Sequence, residues 1–332
     1  MAAGVLADSP LLRGLRPVNL RTDLGGIADL IELCFGATMD ESGRAGLREM
    51  RMVSQSPSLT FLYDGVDRVL GGLELGFVWL EDGKIIGNVS VSRATMPGVV
   101  FAIANVAVHP DFRRRGIARE LMEAALDLVR ERRGKAAILQ VDASNDTAQR
   151  LYSRLGFQVE RTFNKWVRSP FARVPPPLPR TVDVDITLRQ PTEWRKELAL
   201  AELVRPNSSG GLGWMRPTVA EHFRPSFVRT VADWTLGRSE EHYIIRHQRE
   251  IVASLRLCTS FGGTDRLELL VHPSVQSKYE SLLLNTVLRR LEGRRRSATI
   301  EHPADDLIAT EVLAKYAFER RYTLVHMRRN LE

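Results

Sequence analysis

Apolar and polar positions divide the chain into short strands and amphipathic helices. Ile117, Leu121, Ala124, Ala125 and Leu128 recur at helical spacing while Glu120, Glu123, Asp127 and Glu131 take the opposite face. That pattern predicts a helix lying on a sheet, ending near Gly134 as a left-handed cap. Ahead of it, Val99 to Val108 is rich in β-branched and small apolar residues and predicts a buried strand. His109-Pro110 stops that strand, because proline has no N–H to give to a ladder. Earlier, Val18 to Arg21 predicts a short first strand, Ile27, Leu30, Ile31 and Leu33 a helix, and Leu47 to Val53 a second helix closed by a proline-containing loop from Ser54 to Ser58. Gly76 to Leu80 and Lys84 to Ser92 flank Glu81-Asp82-Gly83, whose Asp-Gly pair marks an antiparallel hairpin. Ala136 to Val141 reads as the next strand. Asn145 caps a short helix to Leu155, Gly156 ends it, and Phe157 to Val167 supplies closing strands. This order predicts an α/β (α+β) fold, a mixed and mostly antiparallel sheet flanked by helices.

Five prolines fall between Ser169 and Arg180, a stretch that stays extended and cannot join a sheet interior. Beyond it the first pattern recurs. Ile186 to Arg189 parallels Val18 to Arg21, Glu250 to Leu257 parallels Lys84 to Val91, Leu270-Val-His-Pro273 parallels Ala107-Val-His-Pro110, and Val312 to Phe318 parallels Leu151 to Phe157. A tandem duplication is expected, with residues 1–168 as one domain, 169–180 as linker and 181–332 as the second domain.

With 332 residues, 44% hydrophobic and 26% charged, the chain suits two globular domains and not a disordered one. The N-terminus, Met1 to Pro10, has no basic start ahead of an apolar core, and no run of apolar residues is long enough to span a bilayer. A cytoplasmic protein without membrane partners is expected. Cys34 and Cys258 sit in apolar patterns without ligand-like neighbours, so neither a disulfide nor a metal is expected. The net charge of +7 favours anionic ligands. A nucleic-acid binder is a rival reading, but no recognised module or aromatic-basic interleaving supports it.

The chemistry concentrates after His109-Pro110, where Arg113, Arg114, Arg115, Gly116, Ile117 and Ala118 open the predicted helix. A helix start presents unpaired backbone N–H groups and partial positive charge, and Gly116 has no Cβ to keep an anion away. A diphosphate cradle is expected. The corresponding stretch of the second copy, Ser274-Val-Gln-Ser-Lys-Tyr-Glu280, has no glycine and one basic residue. Ser277-x-x-Glu280 is a capping-box pattern whose carboxylate would repel a diphosphate.

Val-x-Val-His-Pro, Arg113-x-x-Gly116-x-Ala118, Asn145 and Leu151-Tyr152-x-x-x-Gly156-Phe157 occur in that order across roughly sixty residues. In this the chain resembles the GCN5-related N-acetyltransferase (GNAT) family, and through Asn-x-Ala-Val-x-Pro and Val-x-Ala-Ser-Asn it resembles most the ribosomal-protein alanine N-acetyltransferases. The resemblance implies two tandem GNAT-like domains, the second degenerate. It implies acetyl-CoA as cosubstrate, without metal, and a primary amine as acceptor, attacked directly. Residues Arg113 to Ala118 and Asn145 would hold the coenzyme, with the backbone of Val106 and Val108 on its pantetheine arm and thioester carbonyl. Tyr152 matches the tyrosine that protonates the departing thiolate. The general base is less clear: where the subgroup places a glutamate, this chain has Gln140, which cannot act as a base. Asp142, two residues on and on the same strand face, is a candidate relay through water, and Asn105 a candidate to orient water or acceptor. The alternative is a non-catalytic acyl-CoA sensor or interaction protein, monomeric or homodimeric like the enzyme reading.

Overall fold

The computed structural model describes residues 13–331 apart from 38, 40, 56–74, 95–99, 179–183, 227–230, 232, 234, 236 and 261–262. Four expectations thus lie wholly or partly outside the described residues: the reading of Met1 to Pro10, the loop at Ser56 to Ser58, the start of the central strand at Val99, and the linker's end at Pro179-Arg180. Among the described residues no helix is long and apolar enough to cross a membrane.

The chain divides into two compact units. The first comprises Met1–Leu139, Arg150–Phe157 and Arg328–Glu332; the second comprises Gln140–Gln149 and Gln158–Met327. In the first unit, β1 (Gly14–Pro17), β2 (Leu75–Glu81), β3 (Lys84–Arg93), β4 (Val100–Val108) and the start of β5 (Ala136–Asp142) lie side by side in that order. Helices α1 (Leu24–Phe35), α2 (Glu41–Gln55), α3 (Ile117–Glu131) and α4 (Asp146–Arg154) accompany them. The predicted hairpin turns at Asp82 and Gly83, both at positive φ, which matches the right-handed twist of β2 and β3. Ile27, Ala28 and Ile31 of α1 meet Leu47 of α2 and Val78 of β2 in one apolar cluster, with Met39 and Met50 packed against it.

Helix α3 buries Ile117, Leu121, Met122, Ala125, Leu126 and Val129. Each such side chain removed from water contributes roughly 1.5–3 kcal/mol, so this face fixes where the helix starts relative to β4.

Several elements differ from the sequence expectation. Val18 to Arg21 is a turn following β1, not a strand, because the Asp23 carboxylate gathers the segment. It takes Arg16 Nη1 and Nη2 at 2.6 and 2.8 Å and the Asn19 amide at 2.7 Å. Helix α2 is longer than predicted, with Met52 exposed on it. The left-handed residue after α3 is Arg133, at φ +56°, and Gly134 serves a different need. A Cβ there would run into Val129 Cγ1 and come within 2.8 Å of Phe101 Cδ2. Gly134→Ala is expected to destabilise the fold by about 1–3 kcal/mol, the range for overpacking. A thermal melt superimposable on wild type would contradict this packing argument.

In the second unit the elements β7 (Ile186–Leu188), α5 (Trp194–Val204), β8 (Arg238–His247), β9 (Glu250–Ser260), β10 (Asp265–Val271), α6 (Glu280–Arg290), β11 (Ala298–Pro303), α7 (Leu307–Lys315) and β12 (Phe318–Asn330) repeat the order of the first copy. The likeness reaches into the turns. His109 N donates to Ile86 O and His272 N to Val252 O, both at 2.8 Å, and each histidine Nδ1 accepts an amide two residues on.

The closing residues predicted as strands form a single one, β6 (Gln158–Arg168). It pairs antiparallel with β11 from Ala298↔Arg168 to Pro303↔Phe163, so the strand that ends the first copy in sequence is built into the second unit. The order there is β12-β6-β11-β10-β9-β8-β7. Conversely, the chain's last residues belong to the first unit: Leu331 N donates to Lys135 O at 2.8 Å and Arg329 Nη1 to Leu155 O at 2.5 Å. Trp166 of β6 is therefore core of the second unit, packed among residues such as Leu255, Leu267 and Ile300. The compact units cut across the two sequence copies for this reason. In the proline-rich stretch, the carbonyls of Pro175 and Pro176 accept from Arg289 and Asn285 of α6.

Candidate functional site

The site begins with β4. Its parallel pairing to β5 comprises Val100↔Ala136, Phe101↔Ala137 and Ala102↔Ile138, and no further pair between them follows among the described residues. On the other side, Asn88 opposes Ala107 while Ser90 opposes Ala104, so β4 carries one extra residue there. This bulge puts Asn105 at φ +51°, a conformation that asparagine tolerates better than most residues.

Two buried polar side chains of β3 hold the bulge. Asn88 Nδ2 donates to Asn105 O at 3.0 Å, and Asn105 Nδ2 donates to Ser90 Oγ at 3.2 Å. Asn105 is thus tied into the strand, and neither Asn88 nor Ser90 was singled out from sequence. Their signal was present: Asn88, Ser90 and Ser92 are polar residues at alternate positions, with apolar Val89 and Val91 between them. Val106 and Val108 are half-buried. Val108 O accepts from Arg113 Nε at 3.1 Å and from Cys34 Sγ at 3.5 Å, which fixes the strand's end against the turn that follows.

That turn is open. Arg114 has φ +63° and Gly116 φ +86°, and Gly116 is the residue before the first turn of α3. The alternation of left-handed residues with ordinary ones turns successive amides toward one side. Among the described residues the backbone N–H groups of Arg114, Arg115, Gly116, Ile117 and Ala118 have no acceptor. Of the three arginines, Arg113 reaches back to Val108. Arg115 donates to Asp111 O at 3.2 Å and stacks 4.7 Å from the Phe112 ring centroid. The backbone is therefore the main donor set, with arginine charge around it.

The equivalent turn of the second copy is closed. With His272-Pro273 set on His109-Pro110, Ser277 takes the place of Arg114, Tyr279 of Gly116 and Glu280 of Ile117. Ser277 has φ +68°, matching Arg114. The Glu280 carboxylate is buried and accepts from Ser277 N at 3.1 Å and Tyr279 N at 3.2 Å. Only this half of the expected capping box forms; Tyr279, not Ser277, is the N-cap, and it has no side-chain cap bond. The strand before it differs too, since β9 and β10 pair from Arg266↔Cys258 to Val271↔Ala253 without a bulge.

Tyr152 lies on α4 in the first unit, 6% exposed, edge-on to Phe157 at 6.2 Å between centroids. Its hydroxyl has no hydrogen-bond partner among the described residues, and burial pushes its pKa up to about 12. Its counterpart in the second copy is Leu313, fully buried.

Asp142 and Asn145 are counted with the second unit, apart from the residues above. Asp142 Oδ1 accepts from Ser144 N at 2.8 Å and Ser144 Oγ at 2.5 Å, leaving Oδ2 without a partner among the described residues. Asn145 Oδ1 accepts from Ala148 N at 3.1 Å, the helix cap expected of it. Gln140, in the same unit, lies 2.7 Å from His326 Nε2, and His326 stacks on Phe163. Burial lowers the His326 pKa to about 4, so the ring is neutral at physiological pH. Among the described residues no His, Cys, Asp and Glu side chains gather as a metal site would require.

A bulged central strand, splayed from its parallel neighbour and running into an open helix start, defines an α+β fold of the acetyltransferase class. Residues 50–157 match the model of the Acetyltransferase (GNAT) family, so the chain carries a GNAT acetyltransferase domain. The [ribosomal protein bS18]-alanine N-acetyltransferase of Escherichia coli is 39% identical over 88 residues, 25% of this chain and 54% of that protein. The chain spans little more than half the length of the curated relatives it matches. A GCN5-related N-acetyltransferase from Sphaerobacter thermophilus shares the fold with a TM-score of 0.65 at 17% identity, over 97% of this chain and 96% of that one. A tandem GNAT protein from the clavulanic acid biosynthesis pathway does so with 0.57 at 16% identity, over 95% and 98%. The likeness in fold thus covers nearly all of the chain.

Proposed function

We propose that the protein is an N-acetyltransferase that moves the acetyl group of acetyl-CoA to a primary amine, with its active site in the first copy. The observation that carries this reading is the row of five acceptor-free amides from Arg114 to Ala118, directly after a bulged strand. Such a row suits the coenzyme diphosphate. The backbone of Val106 and Val108, on the stretch of β4 beyond its last pair with β5, takes the pantetheine arm. An N–H there donates to the thioester carbonyl and stabilises the oxyanion formed as the amine nitrogen attacks. The C–S bond then breaks, Tyr152 gives its proton to the thiolate sulfur, the amine nitrogen loses one proton to solvent, and solvent reprotonates Tyr152. Asn105 orients water or acceptor through the bulge. The acceptor is a small-molecule or peptide amine.

Gln140 favours a second reading, a sensor that binds acyl-CoA without turnover, since an amide in place of the subgroup's glutamate takes no proton. Thiol release from acetyl-CoA with a panel of primary amines separates the two. Amine-dependent release is the expected result; tight coenzyme binding with no release under any amine would favour the sensor, and no binding would end both readings.

A further inference from the structure

The second unit contains a cavity of about 220 Å³ beyond the point where β10 and β11 part, their last registered pair being Leu267↔Ile300. Leu269 of β10 and His302 of β11 face it, with Arg161, Arg205, Asp305 and Asp306. It lies in the second copy's own strand splay, next to the turn that Glu280 closes.

The charges around it are paired with one exception. Arg161 makes two contacts of 3.2 Å to Asp305. Asp306 accepts from His302 Nε2 at 2.9 Å and from Ala309 N at 3.0 Å. His302 is fully enclosed, and burial together with the Arg205 charge lowers its pKa to about 4. It is therefore neutral, with Nε2–H given to Asp306, and Arg205 Nη2 lies 3.3 Å from its Nδ1 and 3.2 Å from its Nε2.

Arg205 is the exception. It is 7% exposed, and among the described residues no carboxylate oxygen lies within 4.0 Å of it. Its bonds go to neutral groups: Val204 O at 3.1 Å, Leu269 O at 3.5 Å and His302. Burial lowers its pKa to about 10, so it stays charged at neutral pH. Asp306, Glu268 and Asp305 stabilise its charge from beyond 4.0 Å, but none of them bonds to it, and a buried guanidinium gains from an anionic group that meets it directly. Its fork geometry matches two carboxylate oxygens.

We propose that this cavity binds a small organic carboxylate, with its oxygens on Arg205 and its alkyl part against Leu203, Leu269 and Val271. The volume is below the range of roughly 300–1,000 Å³ that drug-sized ligands occupy, which suits a ligand of a few carbons. Asp305 and Asp306 on the same wall disfavour a dianion such as phosphate. This site does not depend on the transferase reading of the first copy.

Saturation-transfer NMR on the full-length protein with butyrate as probe tests it, with butylamine and inorganic phosphate as comparisons. Butyrate is expected to receive saturation and the other two are not. Arg205→Met is expected to weaken butyrate binding about tenfold or more, the loss of one charge-assisted pair. Should that variant fail to fold, Gln276→Trp decides, because it fills the cavity from the turn and leaves the buried cation in place. It too is expected to abolish the butyrate signal while acetyl-CoA titrates as in wild type. No transfer to butyrate at about 10 mM, equal transfer to phosphate or butylamine, or an unchanged signal in Gln276→Trp would each overturn the proposal.

Discussion

Gly116→Glu is expected to abolish acetyl-CoA binding in a calorimetric titration, where the wild-type chain takes up one equivalent. Two effects combine. A residue with a Cβ at φ +86° is strained by roughly 1–2 kcal/mol, although space is not the difficulty, since the nearest atom to that Cβ is Glu120 Oε1 at 3.8 Å. The second effect is larger. A carboxylate here, one position before the one that Glu280 matches, lies beside the same amides and adds negative charge where the diphosphate would sit. Loss of two charge-assisted hydrogen bonds, at about 1.5–3 kcal/mol each, weakens binding more than a hundredfold. Gly116→Ala isolates the strain, with a loss of about tenfold expected. If the glutamate variant bound no worse than the alanine variant, the amides would not be the diphosphate site. A second equivalent bound by wild type would show that Glu280 does not close the other turn.

The turn and the helix behind it were legible because their signals are local. Gly116 is the one residue type that accepts its backbone conformation without strain, and the apolar face of α3 has the helical period throughout. The duplication was legible for a similar reason, as His109-Pro110 and His272-Pro273 end equivalent strands in the same way. Nonlocal features were not. Nothing in Val-Phe-Ala-Ile-Ala-Asn-Val-Ala-Val shows that one residue of β4 is extra; the bulge appears only against β3, where Asn88 and Ser90 hold it. Pairing of β6 with β11 was equally hidden, because a strand's pattern records which faces are buried and not which sheet buries them. Short segments misled for a third reason. At Val18 to Arg21 the alternation is too brief to outweigh a buried carboxylate nearby, and Asp23 with Arg16 decides the backbone. Gly134 looked like a cap because glycine so often is one, yet its role is steric and belongs to Phe101, which is distant in sequence.

Tyr152→Phe is expected to lower kcat by about 10²–10⁴ while leaving the coenzyme's affinity unchanged, the signature of a group that acts only as the thiolate departs. Folding is expected to stay within about 0.5 kcal/mol of wild type, because the hydroxyl has no hydrogen-bond partner among the described residues to lose. The pH profile adds a readout that packing alone would not move. Burial raises the phenol's pKa from 10.0 to about 12, which favours the protonated form. The acid is therefore fully loaded up to pH 10, and the rate is expected to rise with pH as more of the amine loses its proton, with no falling limb from the phenol below about pH 11. A falling limb near pH 9–10 that vanished in the phenylalanine variant would show the phenol to be solvated when the coenzyme is bound. An unchanged kcat would remove Tyr152 from the chemistry altogether. In that case Leu313, its counterpart in the second copy, would no longer set the copies apart, and the difference between them would rest on Glu280 and the missing bulge.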